Sequence, residues 1–385
     1  MPSSEKPVNW DNLAKSIANG EAVLVLGPDA IPFHRAQSFD NGANGQPYSS
    51  FSELSRKAIL AANDIGIAYY YPRDNLFLFK DKVDKRNAQK LVRECAQDRL
   101  WIPDQELLQQ IAAIPFCLMI NINPDEHIYE SLIHFRVDAQ FDYFTIKDKT
   151  QPSALKTPVI LDKPTNNNPI LYNLCGDVCE KLDSQILDYN DLFELFQQML
   201  SNGIPDSIRL KLKEADRFVF LGLHIEKWYF QLLIHYLNQL DHDYFNHPTR
   251  NFSILSDLSE DNKEFILKQF NLEFITPSQA AFGELFKACE RQGILRKLDS
   301  PLSSISTRLM VNIKQDNFDR VFKLLEEYGN INYLKETLQL QARYADWKKK
   351  EQQKTVEQQL LNVEINKIRE ALITLAIQIS DEKKA

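Results

Sequence analysis

Over the first 300 residues the chain alternates two hydrophobic patterns. Short apolar runs stand at 22–26 (AVLVL), 116–122 (FCLMINI), 169–174 (PILYNL), 217–221 (RFVFL), 251–255 (NFSIL) and 272–275 (LEFI). They are continuous instead of alternating, so each predicts a strand covered on both faces. Between them, apolar positions recur at helical spacing at 51–63, 104–112, 189–200 and 228–240. Strands and helices in alternation predict an α/β domain with a mostly parallel sheet, whose ligands bind beyond the carboxyl ends of the strands. The Thr-, Pro- and Asn-rich stretch 150–168 predicts an exposed connection.

Near residue 300 the texture changes at KLDSPLSSIST, a polar stretch that reads as a linker. Everything after it is helical in pattern. One helix is expected over 316–328, with Gly329 as its C-cap. The next covers 331–350 and spaces Tyr333, Thr337, Leu340, Tyr344 and Trp347 by four and three. The last carries Leu361, Ile365, Ile368, Leu372, Leu375 and Ile379 in the same rhythm, which puts all six on one face. Either that stripe is the core of an intramolecular bundle, or part of it, or the surface beside it, docks another protein. The run Lys348–Lys350 reads as a solvated turn. Two domains are therefore expected, an α/β domain over 1–300 and a small all-α bundle over 304–385.

Composition narrows the class. The chain has 385 residues and a formal net charge of -8, so no basic excess is available to displace phosphate counterions, and nucleic acid is not expected as a partner. No apolar run approaches the roughly 18 residues that span a bilayer. The start, MPSSEKPVNWDN, lacks a basic segment followed by an apolar core. A cytoplasmic protein without membrane contact is expected. The five cysteines, Cys95, Cys117, Cys175, Cys179 and Cys289, are scattered and odd in number, which suits neither a disulfide framework nor a four-ligand zinc module. Asp241, His242, Asp243 and His247 read as a solvated loop, so no metal site is expected. P-loop, nucleophile-elbow and H-E-x-x-H motifs do not occur in the sequence.

Four clusters of small and polar residues follow predicted strands. Gly27, in LGPDA, stands where a backbone can approach a phosphate, but Pro28 removes one amide donor and Asp29 brings a negative charge; Asp29 also suits a helix cap. Asn123 and Asp125 follow FCLMINI, where an Asn amide can hold a ribose or orient a water, and where Asp125 can equally cap the next helix. Cys175, Gly176 and Asp177 follow PILYNL, and Gly222 and His224 follow RFVFL.

Taken in order, LGPDA at 26–30, NINPD at 121–125, LCG at 174–176 and GLH at 222–224 resemble the sirtuin-like domains of bacterial anti-phage defence proteins. That family shows G-A-G-x-S, T-x-N-x-D, L-H-G and G-x-S at successive strand ends. QILDYNDLFELF at 185–196 and GLHIEKWYFQLLI at 222–234 are also similar to segments of the family. The resemblance, over about 15–290, implies a Rossmann-like, sirtuin-like sheet that binds NAD and cleaves it to nicotinamide and ADP-ribose. It implies Asn123 on the ribose or the attacking water, Asp125 on the carboxamide, and Gly27, Asp29, Gly176 and Gly222 around the cofactor. The family's catalytic histidine falls on Cys175, whose thiol is a poor base at neutral pH. Either His224 supplies the missing imidazole and hydrolysis survives, or the domain binds a nucleotide, or nothing, without turnover.

The tail, about 304–381, resembles the helical effector-associated domains of bacterial conflict systems, on LEEYGNINYLKETLQLQARYADWKKKE and the long helix with NKIREAL. That resemblance implies recruitment by a partner protein carrying a like domain, and homo-oligomerisation is expected. Three functions remain open: an NAD glycohydrolase, a sirtuin-like nucleotide sensor, and an assembly scaffold that uses no ligand.

Overall fold

The computed structural model describes residues 8–35, 50–98, 100–144, 161–178, 185–200, 204–239, 251–255, 272–276, 278–328, 331–353 and 358–382. The chain divides into two compact units, Met1–Ile128 with Asp138–Lys297, and Tyr129–Val137 with Leu298–Ala385. That Tyr129–Val137 groups with the C-terminal helices is a feature the pattern of the chain did not indicate. Gly329, Cys179 and the Asp241, His242, Asp243, His247 cluster lie outside the described residues.

In chain order the first elements are α1 (Trp10–Ala18), β1 (Ala22–Leu26), β2 (Phe33–Arg35), α2 (Phe51–Ala61), β3 (Ile67–Tyr71), β4 (Leu76–Phe79), α3 (Lys82–Gln97), β5 (Trp101–Pro103) and α4 (Gln105–Ala113). There follow β6 (Leu118–Asn121), α5 (His127–His134), β7 (Gln140–Tyr143), β8 (Ile170–Asn173), α6 (Tyr189–Leu200), α7 (Asp206–Glu214), β9 (Arg217–Leu221), α8 (Trp228–Gln239), β10 (Asn251–Leu255), β11 (Leu272–Thr276) and α9 (Ser278–Arg291). Seven strands form one sheet in the order β11-β10-β9-β1-β6-β8-β7, and each pair is parallel. β1 and β9 are buried along their whole length, as a two-faced parallel sheet requires of its central strands. The polar stretch over 161–168 forms no helix or strand.

Register is what matters for a site. Leu26 pairs with Asn121 on one side and Leu221 on the other, and Asn121 pairs with Asn173. The four strand ends therefore form one row. The ladder runs one residue further: the amides of Gly27, Ile122 and Leu174 donate to the carbonyls of Leu221, Leu26 and Asn121 at 2.8, 2.9 and 2.7 Å. The loops that start at 27, 122, 174 and 222 leave the sheet at one level.

Two small antiparallel pairs, β2–β5 and β3–β4, stand apart from the main sheet. The β3–β4 hairpin was not expected. Its signal is the turn sequence PRDN between the β-rich runs IAYYY and LFLF, with Asn75 at φ 58°.

The second unit contains α10 (Ser304–Lys314), α11 (Phe318–Tyr328), α12 (Ile331–Gln353) and α13 (Gln358–Glu382). Ser303 caps α10 by accepting from the Ser306 amide. α13 packs on both α10 and α12. Ile368, Leu372, Leu375 and Ile379 are buried, and Ile365 partly buried, in the cluster shared with Phe318, Phe322 and Tyr344, and Leu361 is buried as well. The stripe thus belongs to the core of the bundle, the first of the two alternatives. A correction concerns Lys348–Lys350, which lie within α12 instead of in a turn; Lys348 pairs with Asp319 at 2.7 Å and Lys350 with Asp346 at 2.5 Å. The Trp347 indole donates to the Leu361 carbonyl at 2.9 Å and Arg343 pairs with Glu364 at 2.8 Å, fixing the register of α12 on α13. Within the same unit the Leu302 amide donates to the His134 carbonyl at 2.9 Å, and His134 Nδ1 lies 3.2 Å from Thr307 Oγ1. Among the described residues no helix is long and apolar enough to cross a membrane.

Candidate functional site

The loops after β1 and β9 meet backbone to backbone. A Cβ on Gly27 would collide with the Gly222 carbonyl, and one on Gly222 would collide with the backbone of Ala30. Gly222 also sits at φ +65°, a conformation that L side chains rarely adopt. Both glycines are accounted for by this mutual packing, whatever the loops hold. Pro28 and Asp29 form a turn that leads into β2, so Asp29 is not a helix cap.

Asp29 instead gathers polar partners. Its carboxylate accepts from the Ser50 hydroxyl and pairs with the His224 imidazole Nε2, while His224 Nδ1 lies 3.1 Å from Glu226. Ser50 is the N-cap of α2, accepting from the Glu53 amide, so this helix is tied to the β1 loop through the same hydroxyl. Hydrogen bonds to Asp29 and Glu226 raise the His224 pKa to about 9. Burial opposes ionisation at both carboxyls, yet the contacts with His224 hold Asp29 and Glu226 below their ordinary values. At neutral pH the trio is an imidazolium between two carboxylates. A protonated ring has no lone pair with which to act as a base.

Asn123 and Asp125 are set by a buried amide pair. Asn121 Nδ2 donates to the Asn123 carbonyl at 2.8 Å and to Asn173 Oδ1 at 3.0 Å, and its Oδ1 accepts from the Asn123 amide at 3.2 Å. Asn173 Nδ2 donates to the Asp125 carbonyl at 2.9 Å. The Asn123 side chain donates through Nδ2 to the Pro28 carbonyl at 3.1 Å, which joins this loop to the β1 loop. Asp125 is buried and accepts from the His127 amide at 3.0 Å, at the first residue of α5. It holds a helix start, the alternative raised for it from the sequence.

Beside the row of strand ends lies a cavity of about 140 Å³. Asn123 and Cys175 line it together with Pro28, α2, the β3–β4 hairpin, Gln185–Leu187, α6 and the start of α8. Its wall is mainly aromatic and aliphatic, with Phe51, Phe77, Phe196 and Phe230 among the rings. The polar groups include Arg56, Asp74, Asn75, Asn123, Gln185 and Lys227, with Ser52, Ser55 and Tyr229 beside them. Of the residues the sequence singled out, the cavity brings together Asn123 and Cys175. His224, Asp29, Asp125, Gly27, Gly176 and Gly222 are not in its lining. Burial pushes the Cys175 thiol up to about 12, so this sulfur is a neutral thiol at physiological pH. Burial also lowers the Lys227 pKa, against the pull of Asp29, Glu226 and Asp74.

Arg56, Gln185 and Lys227 were not anticipated as site residues. Lys227 and Gln185 stand in the segments whose resemblance was noted, GLHIEKW and QILDYND, but neither belongs to a motif position. Arg56 is part of an amphipathic helix and carries no local signal.

No curated protein matches the chain. Residues 295–380 match the family described as effector-associated domain 11, so the helical unit carries a C-terminal effector-associated domain.

Proposed function

We propose that the sheet unit is a non-catalytic receptor for the nicotinamide end of NAD or a related nucleotide, and that the effector-associated domain recruits a partner protein with a like domain. The observation that carries this reading is that both residues available to replace the family's histidine are held protonated. Cys175 faces the cavity as a neutral thiol, and His224, the other candidate, is an imidazolium gripped by Asp29 and Glu226. General-base activation of a ribose hydroxyl needs a group that accepts a proton near neutral pH. A cavity of about 140 Å³ is also the size that takes one ring, since an apolar cavity of roughly 150 Å³ binds benzene. The rest of a dinucleotide would lie outside it. A place in bacterial defence rests on the sirtuin-like resemblance and on the effector-associated match together.

The test is nicotinamide release from NAD by the full chain, measured beside calorimetric titration with NAD and ADP-ribose. Saturable binding without release is expected. Release that disappears in Asn123→Ala would replace the receptor reading with an NAD glycohydrolase. Absence of both, with partner capture through the helical domain intact, would leave a scaffold.

A further inference from the structure

α5 is one helix that the boundary between the two units divides: His127 and Ile128 belong to the sheet unit, and Tyr129–Val137 to the helical unit. It has eight residues, fewer than the roughly 12–15 at which an isolated helix becomes even marginal in water, so its helicity is supplied by what holds its ends. The N-terminal end is held at the row of strand ends. Asp125 accepts from the His127 amide at 3.0 Å, and the Asp125 carbonyl accepts from Asn173 Nδ2 at 2.9 Å. The His127 ring meets Phe33 and Phe51 edge-on, with centroids 5.1 and 6.4 Å apart. Phe51 lines the cavity, as does Asn123, two residues before Asp125.

The C-terminal end is held within the helical unit. Arg136, at φ 59°, closes the helix: its amide donates to the Ile133 carbonyl at 2.9 Å and the Val137 amide to the Leu132 carbonyl at 2.8 Å, the paired bonds of a Schellman cap. The His134 carbonyl accepts from the Leu302 amide at 2.9 Å, and His134 Nδ1 lies 3.2 Å from Thr307 Oγ1. The Thr307 hydroxyl gives its own proton to the Ser303 carbonyl, so its oxygen is the acceptor and Nδ1 carries the hydrogen. Arg136 also reaches Asp381, at 3.8 Å.

We infer that α5 is a conformational coupler, through which a change in the helical unit alters the Asn123–Asp125 loop and a change at that loop alters the helical unit. The physical reason is cooperativity. In so short a helix each backbone bond depends on its neighbours, so losing the contacts at one end frays the whole element and frees the residues at the other. A group that enters the cavity against Asn123 or Phe51 acts on one end, and a protein that engages the helical unit acts on the other. Each then changes the affinity of the other by the same factor, because coupling between two sites is reciprocal. The coupling is a property of the chain and does not depend on the cavity taking NAD.

The experiment is hydrogen–deuterium exchange on the full chain, comparing the wild type with Thr307→Val, in the helical unit, and Asp125→Ala, at the strand ends. Thr307→Val removes the acceptor of His134 Nδ1 at nearly constant side-chain size, and Asp125→Ala removes the bond to the first amide of α5. Each is expected to speed exchange at its own end of the helix and also at the far end. The far-end reporters are the His127 amide in Thr307→Val and the Leu302 amide in Asp125→Ala, each faster by roughly fivefold, the equivalent of one lost helix cap. β9, at the centre of the sheet, is the control and should exchange as in the wild type. Acceleration confined to the mutated end in both variants would overturn the inference. So would acceleration that extends to β9, since protection would then be lost by unfolding of the sheet unit instead of through α5. If Asp125→Ala does not fold, Thr307→Val decides alone, because its far-end reporter lies in the other unit.

Discussion

The sheet unit and the helical unit spend their characteristic side chains in opposite ways. At the row of strand ends the conspicuous residues are polar, and nearly all of them are consumed internally: Asn121 and Asn173 by each other's loops, Asp125 by the start of α5, and Asp29 by Ser50 and His224. In the helical unit the conspicuous residues are apolar, and the regular stripe of α13 is consumed by the bundle core. The same subtraction applies to both. A residue type that looks available for an outside partner is informative only after its internal use has been removed. Among the described residues, what remains in the sheet unit includes two unmatched polar atoms, Gln185 Oε1 and Arg56 Nε. What remains in the helical unit is a different set of apolar side chains, Leu334, Leu338, Leu360 and Val363, each about half exposed or more.

The sharpest way to break this comparison is in α13. Ile368 is fully buried, so Ile368→Asp places a charge in the bundle core and is expected to cost about 4 kcal/mol or more. In a helical unit of this size that lowers the melting temperature by some 15 °C or more. Leu338→Asp, on the exposed side of α12, should stay within about 0.5 kcal/mol of wild type. A partner lost in Leu338→Asp but retained in the wild type would place docking on the residual set. Equal stability of the two variants would mean that the stripe is not the core.

Next in size is the contact between the β1 and β9 loops. Gly222→Ala combines a left-handed backbone with a collision against Ala30, and should cost about 2–4 kcal/mol in denaturant unfolding. If it were nearly neutral, the loops would have room between them for a phosphate, and the glycines would regain a ligand-binding meaning. Asn173→Ala comes third. Asn173 is 0% exposed, and its loss leaves Asn121 Nδ2 short of one acceptor and the Asp125 carbonyl without its donor, for about 1–3 kcal/mol. That variant should also loosen the loop carrying Asn123, seen as faster amide exchange there.

Much of this arrangement was legible in the chain. Runs such as AVLVL and RFVFL are apolar without alternation because both faces of a parallel sheet are covered, and they mark β1 and β9 to the residue. The heptad-like rhythm of α13 was equally plain. Neither pattern shows which neighbour a polar atom meets, because that depends on pairings far apart in sequence. Asn173 reads as an ordinary end of PILYNL until it lies beside Asn121, 52 residues away. Gln185 and Arg56 are similar: nothing local distinguishes them, and only the folded chain shows Gln185 Oε1 and Arg56 Nε buried without a partner among the described residues. His224 shows the converse. It was found from its strand end, but its protonation depends on Asp29, 195 residues away.

The smallest expected effect is also the one that bears most directly on chemistry. His224 has its pKa raised from 6.5 to about 9 by Asp29 and Glu226, so the stabilisation it supplies is fully present below about pH 6.5 and is lost as pH rises through about 9. The two carboxylates have lowered pKa values, and their share is present above their ordinary range and lost as pH falls through the folded values. The trio therefore contributes most from the upper end of the carboxylate range to about pH 6.5. The side chains of His224, Asp29 and Glu226 are 36%, 42% and 44% exposed, so solvent screens the pairs and the effect should stay below about 1 kcal/mol. His224→Gln should melt slightly below wild type at pH 6, and the gap should close by pH 9.5. A gap that stays constant across this range would mean a neutral imidazole at pH 7. His224 would then be free to act as a base, and the hydrolytic reading of the strand-end row would recover the residue it lacks.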